Sequence, residues 1–72
     1  MNNPYIYEIR IEGHLTDQWS DWFGGLVINS DAAGITTLNG VLTDQSALIG
    51  ILGKIHALNL TIISVKQSDP EI

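Results

Sequence analysis

Hydrophobic and polar residues alternate from Tyr5 to Gly13. Tyr5, Tyr7, Ile9 and Ile11 fall on one side, and Ile6, Glu8, Arg10 and Glu12 on the other. A period of two with β-forming residues predicts a strand with one buried and one wet face. The charges also penalise a one-residue slip of register, which would bury them. The period then changes. Trp19, Trp22 and Phe23 stand at i, i+3 and i+4, which predicts one face of a short helix capped by Thr16 or Asp17. Gly24-Gly25 would end it, because glycine takes the left-handed C-terminal position at little steric cost. Leu26-Val27-Ile28 reads as a second strand, 29–34 as a turn, and Ile35 to Val41 as a third strand. From Asp44 to Leu58 the spacing is helical again. Leu48, Ile51, Leu52, Ile55 and Leu58 form a wide apolar stripe that must face a sheet, and Asn59 is a tolerated left-handed cap. Leu60 to Lys66 reads as a fourth strand, and 68–72 as a frayed tail.

The predicted order is β-α-β-β-α-β, a two-layer α+β sandwich. It folds as a four-stranded antiparallel sheet of order 4-1-3-2 with two helices on one face, an arrangement known as ferredoxin-like. A repeat supports it. Gly13-His14-Leu15-Thr16-Asp17-Gln18 recurs as Gly40-Val41-Leu42-Thr43-Asp44-Gln45, each copy lying between a β-branched run and a helical stretch. Two half-motifs related by a pseudo-two-fold would place them so. The whole chain is expected to be one small domain with its core at about 5–67.

Three stretches carry a family resemblance: Tyr7 to Ile11, Trp19-Ser20-Asp21-Trp22-Phe23-Gly24-Gly25-Leu26, and Leu38 through Val65 with its Asp44-Gln45 helix start. The chain resembles an uncharacterised family of short, stand-alone bacterial domains. That resemblance implies the same fold and supplies no activity, cofactor or catalytic residue.

Size changes what the pattern must achieve. A domain of 72 residues buries only about 60% of the surface its unfolded chain exposes. There is no cysteine to staple it. Domains of this kind often recover burial by associating. Only 15% of residues are charged, so part of the surface must be neutral or apolar. The net charge of −5, with Arg10, Lys54 and Lys66 scattered along the chain, argues against nucleic acid and against anionic membranes. Neither a basic-then-apolar leader nor a run of spanning length is visible, so a cytoplasmic protein is expected.

Candidate chemistry is sparse. The chain has no phosphate-cradling glycine loop, no nucleophile elbow and no cofactor motif, so no cofactor is expected. Glu8 and Glu12 share a strand face but stand roughly 13 Å apart, too far to share a proton. His14 and His56 fall at one end of the expected topology, near Asp17 and Asp31. They are weak candidates for a metal site or for proton transfer. Trp19 and Trp22 are expected in the core. On the second helix, Ser46, Gly50, Gly53 and Ala57 lie within about 60° of one another opposite the apolar stripe, with Ile49 beside them. Small residues there would let a partner approach closely. Glu8, Arg10 and Glu12 on the open sheet face suit cross-strand pairs or a polar dimer interface. These features favour a small non-enzymatic interaction or ligand-binding module acting as a homodimer or higher oligomer. Its partner would be itself, with an unidentified protein or small ligand besides. The alternative is a small enzyme or metal-binding protein using His14, His56 and nearby carboxylates in a subunit cleft.

Overall fold

The structure, a computed structural model, describes residues 5–68. Four strands, β1 (Tyr5–Glu12), β2 (Val27–Ser30), β3 (Ile35–Leu42) and β4 (Thr61–Ser68), accompany one helix, α1 (Gln45–Ala57). Every strand pairing is antiparallel, in the order β2-β3-β1-β4. These are the expected neighbours, read from the opposite edge. Ser68 closes β4, so it does not belong to the tail; the rest of the expected tail lies outside the described residues.

The alternation of β1 sets the core. Tyr7, Ile9 and Ile11 are buried, together with Ile28 on β2 and Leu38 and Leu42 on β3. Ile51 and Ile55 of α1 close over them. The start of α1 follows its capping residue. The Asp44 carboxylate accepts from the Ala47 amide at 2.8 Å, satisfying one of the free donors of the first turn. Its end is a left-handed Asn59 at φ 63°, with Leu60 N–H donating back to Ile55 O at 3.3 Å.

The expected first helix does not form. Asp17–Trp19 makes one 3-10 turn, irregular turns continue to Gly25, and the Thr16 side chain makes no capping bond. The reason is length. Only seven residues separate Thr16 from the left-handed Gly24, and so short a helix returns little for its nucleation. What survives is the closure. Gly25 N–H donates to Ser20 O at 2.8 Å, as Leu60 does to Ile55. Of the three aromatic residues only Phe23 is buried; Trp19 and Trp22 remain 36% and 38% exposed. Only Phe23 enters the core, and the two tryptophans pack in series outside it.

The two halves still match where the hexapeptide repeats. A Cβ on Gly13 would stand 2.8 Å from Leu60 Cδ2, and one on Gly40 would stand 2.8 Å from Leu26 Cδ2. Each repeat glycine thus makes room for the leucine that follows the other half's left-handed residue. The pseudo-two-fold is carried by these crossed contacts. The helical connections differ, and that of the second half is the longer.

The helical cover lies on one face. The segment 17–19 packs on β2, and α1 packs on β3 and β4. The opposite face of the sheet carries Ile6, Glu8, Arg10 and Glu12 with their cross-strand neighbours.

Candidate functional site

Four hydrogen bonds hold the connection after β1. Gly13 N–H donates to Gly34 O at 2.9 Å. The buried Thr36 hydroxyl donates to Gly13 O at 2.6 Å and accepts from Leu15 N–H at 3.2 Å. The Ser30 hydroxyl donates to Leu15 O at 2.9 Å and also lies 2.9 Å from Thr36 Oγ1. Two hydroxyl protons therefore serve two backbone carbonyls, one on each side of His14. Thr36 is the single buried polar side chain among the described residues. Its position was readable, since Thr36 is in phase with the inward Leu38 and Leu42 on β3. A threonine in that phase marks a hydroxyl with a specific partner.

The weak metal candidates reach the same end of the domain. The bond from Gly13 to Gly34 sets His14 beside the β2–β3 turn that holds Asp31, and the close approach of Gly13 to Leu60 brings in the end of α1 that carries His56. They do not converge further. Among the described residues no three His, Asp or Glu side chains form a group able to hold a metal ion. The Asp31 carboxylate is already engaged in closing the turn, where Oδ1 accepts from Ala33 N–H at 2.8 Å and from Ile35 N–H at 3.1 Å. Asp17 starts the 3-10 turn and is exposed, as are both histidines.

The tryptophans sit at the surface, and Trp22 is clamped there. Lys54 of α1 donates to Trp22 O at 2.7 Å, and its Nζ lies 5.4 Å from the Trp22 ring centroid. Trp22 meets Trp19 and Phe23 edge-on, at centroid distances of 5.6 Å and 5.0 Å. One lysine thus joins α1 to the segment that replaces the first helix, through a charge-assisted hydrogen bond and a cation–π contact.

The outer side of α1 is as the periodicity predicts. Ser46, Ile49, Gly50, Gly53 and Ala57 are all exposed. Among the described residues nothing lies within 4 Å of a Cβ placed on Gly50 or Gly53, so no close approach there requires either glycine.

The open sheet face presents a graded surface. At one end Ile6 stands opposite Val41, with Val27 one diagonal away, opposite Asn39. Val27 and Val41 are each 56% exposed and Ile6 39%. Next comes Glu8, between Asn39 and Lys66, then Arg10, between Thr37 and Ser64, then Glu12, between Ile35 and Thr61. The β4 edge is interrupted. Its register shifts between Arg10 and Ile11, leaving Ile63 without a partner on β1, a bulge of the kind that discourages edge pairing. No helix among the described residues is long and apolar enough to cross a membrane.

A family model described as a domain of unknown function, DUF8691, matches residues 6–66. Comparison with curated proteins and with solved structures finds no match.

Proposed function

Since the chain belongs to the DUF8691 family, whose description names no activity, we propose from its surface that it is a small non-enzymatic interaction or ligand-binding module acting as a homo-oligomer. The observation that supports this is the distribution of apolar side chains. Among the described residues eleven hydrophobic side chains are buried, while nine large ones are exposed. Single exposed apolar residues are ordinary. Here three adjoin one another on the open sheet face, and three more (Ile62, Ile63, Val65) lie on β4. A domain with so small a core gains from covering them. A ligand would lodge between copies, because a single sheet with one helix offers little concavity.

We take the family as bacterial and the chain as cytoplasmic. We take the fold as a shortened relative of the ferredoxin-like arrangement, with the first helix reduced to turns. A role for His14 and His56 in proton transfer or metal binding would need groups from a second copy, because one chain brings no three ligands together among the described residues. The test is the mass of the particle at low micromolar concentration, by native mass spectrometry or sedimentation. A dimer or larger assembly is expected. A monomer at tens of micromolar would refute the homo-oligomer.

A further inference from the structure

We propose that a second copy of this chain docks on the open face of the sheet, face to face, so that Ile6, Val27 and Val41 are covered and Glu8 of each copy meets Arg10 of the other. This rests on the homo-oligomer reading and names its surface.

Charge points to this face. The chain has three basic and eight acidic residues. By strand register the open face holds two of the basic ones, Arg10 and Lys66, and two of the acidic ones, Glu8 and Glu12. Among the described residues it is therefore neutral, whereas the rest set one base, Lys54, against four acids, Asp17, Asp21, Asp31 and Asp44. Contacts through the surfaces that hold Asp17, Asp21, Asp31 and Asp44 would add acid to acid; a contact here does not. The face is also self-complementary. Glu8 lies directly across from Lys66 and two residues along β1 from Arg10. A two-fold axis that runs across the strands between Glu8 and Arg10 brings each Glu8 onto the partner's Arg10. Opposite charges set this way across an interface fix register and exclude like-charged alternatives.

Area is consistent with a stable contact. Three strands of eight residues and one of four span roughly 400 Å² in projection, at about 3.3 Å per residue and about 4.8 Å between strands. With side-chain relief, two such faces bury on the order of 1,000 Å² in all, the lower bound for a specific interface. About that axis each Val41 meets the partner's Ile35 and each Ile6 the stem of the partner's Glu12, which supplies the hydrophobic part. The competing surfaces are poorer. The β4 edge is bulged, and the outer side of α1 offers small residues and one isolated isoleucine.

The experiment uses the full chain and its charge variants, with mass read by sedimentation equilibrium and folding read by circular dichroism. Arg10→Glu should weaken self-association at least tenfold, and so should the double variant Glu8→Arg/Glu12→Arg. An equimolar mixture of the two should recover a dimer, because each face then meets its opposite. Val41→Lys should also dissociate the dimer, and it decides the matter if Arg10→Glu does not fold. A dimeric parent whose Arg10→Glu and Val41→Lys variants stay dimeric would overturn the face assignment while leaving the homo-oligomer intact. So would dissociation by Val65→Lys alone, which would point to the β4 edge. A mixture that remains monomeric would overturn the charge pairing. A monomeric parent would end both this inference and the reading on which it rests.

Discussion

Thr36→Val removes one oxygen from the buried centre and keeps the shape of the side chain. In the parent that oxygen donates to Gly13 O at 2.6 Å and accepts from Leu15 N–H at 3.2 Å. Both partners are backbone groups, so the substitution cannot remove them along with the hydroxyl. Ser30 Oγ already donates to Leu15 O, and it has no second proton for Gly13 O. Two hydrogen bonds at about 1 kcal/mol each are lost, and a buried N–H left without an acceptor adds roughly 1 kcal/mol or more. The expected loss is about 2–4 kcal/mol. A 72-residue domain at about 0.05–0.15 kcal/mol per residue has about 4–11 kcal/mol in total, so the substitution removes a large share. The assay is urea unfolding followed by tryptophan fluorescence at fixed chain concentration, since association would shift the midpoint. With a slope of about 1 kcal/mol per molar urea, the midpoint should fall by roughly 2 M or more with the slope unchanged. Thr36→Ser keeps the hydroxyl and loses only a methyl, and should fall by about half as much or less. A valine variant within about 0.5 kcal/mol of the parent, or a serine variant worse than valine, would refute the claim that this hydroxyl holds the connection around His14.

Other substitutions probe the same geometry. Gly50→Ala and Gly53→Ala meet open space in a helix interior, so each should raise stability by about 0.8–1 kcal/mol in thermal or urea melts; destabilisation by either would show that a partner occupies that side of α1. Lys54→Met keeps the stem of the side chain but loses the bond to Trp22 O and the cation over its ring. It should lower stability by about 1 kcal/mol and shift tryptophan emission to the red, and an unchanged spectrum would remove the clamp. Phe23→Ala empties the most deeply seated aromatic position. A loss of about 3–5 kcal/mol is expected, enough to unfold much of the population at room temperature by circular dichroism, and a loss under about 1 kcal/mol would mean the turn segment contributes little to the core.

The sequence alone determined the four strands to within two residues at their ends, the inward set on β1, and helix α1 with both of its ends. Each of these depends on neighbours within a few residues. Period-two alternation needs no partner to be read, and Asp44 caps whatever helix begins behind it. Antiparallel order and the choice of open face also follow once the connections are short and the charges of β1 lie on one side. Only the tertiary structure decided what became of 16–25. There the local helical spacing of Trp19, Trp22 and Phe23 competes with a span too short to sustain a helix. The sheet took Phe23 and left Trp22 to Lys54, a residue some thirty positions away in the chain. Thr36 shows the same limit: its inward phase was legible, but its partners lie more than twenty residues distant. The candidate site divides in the same way. Sequence placed His14, Asp31 and His56 at one end, while the packed connections bring no three such side chains together among the described residues.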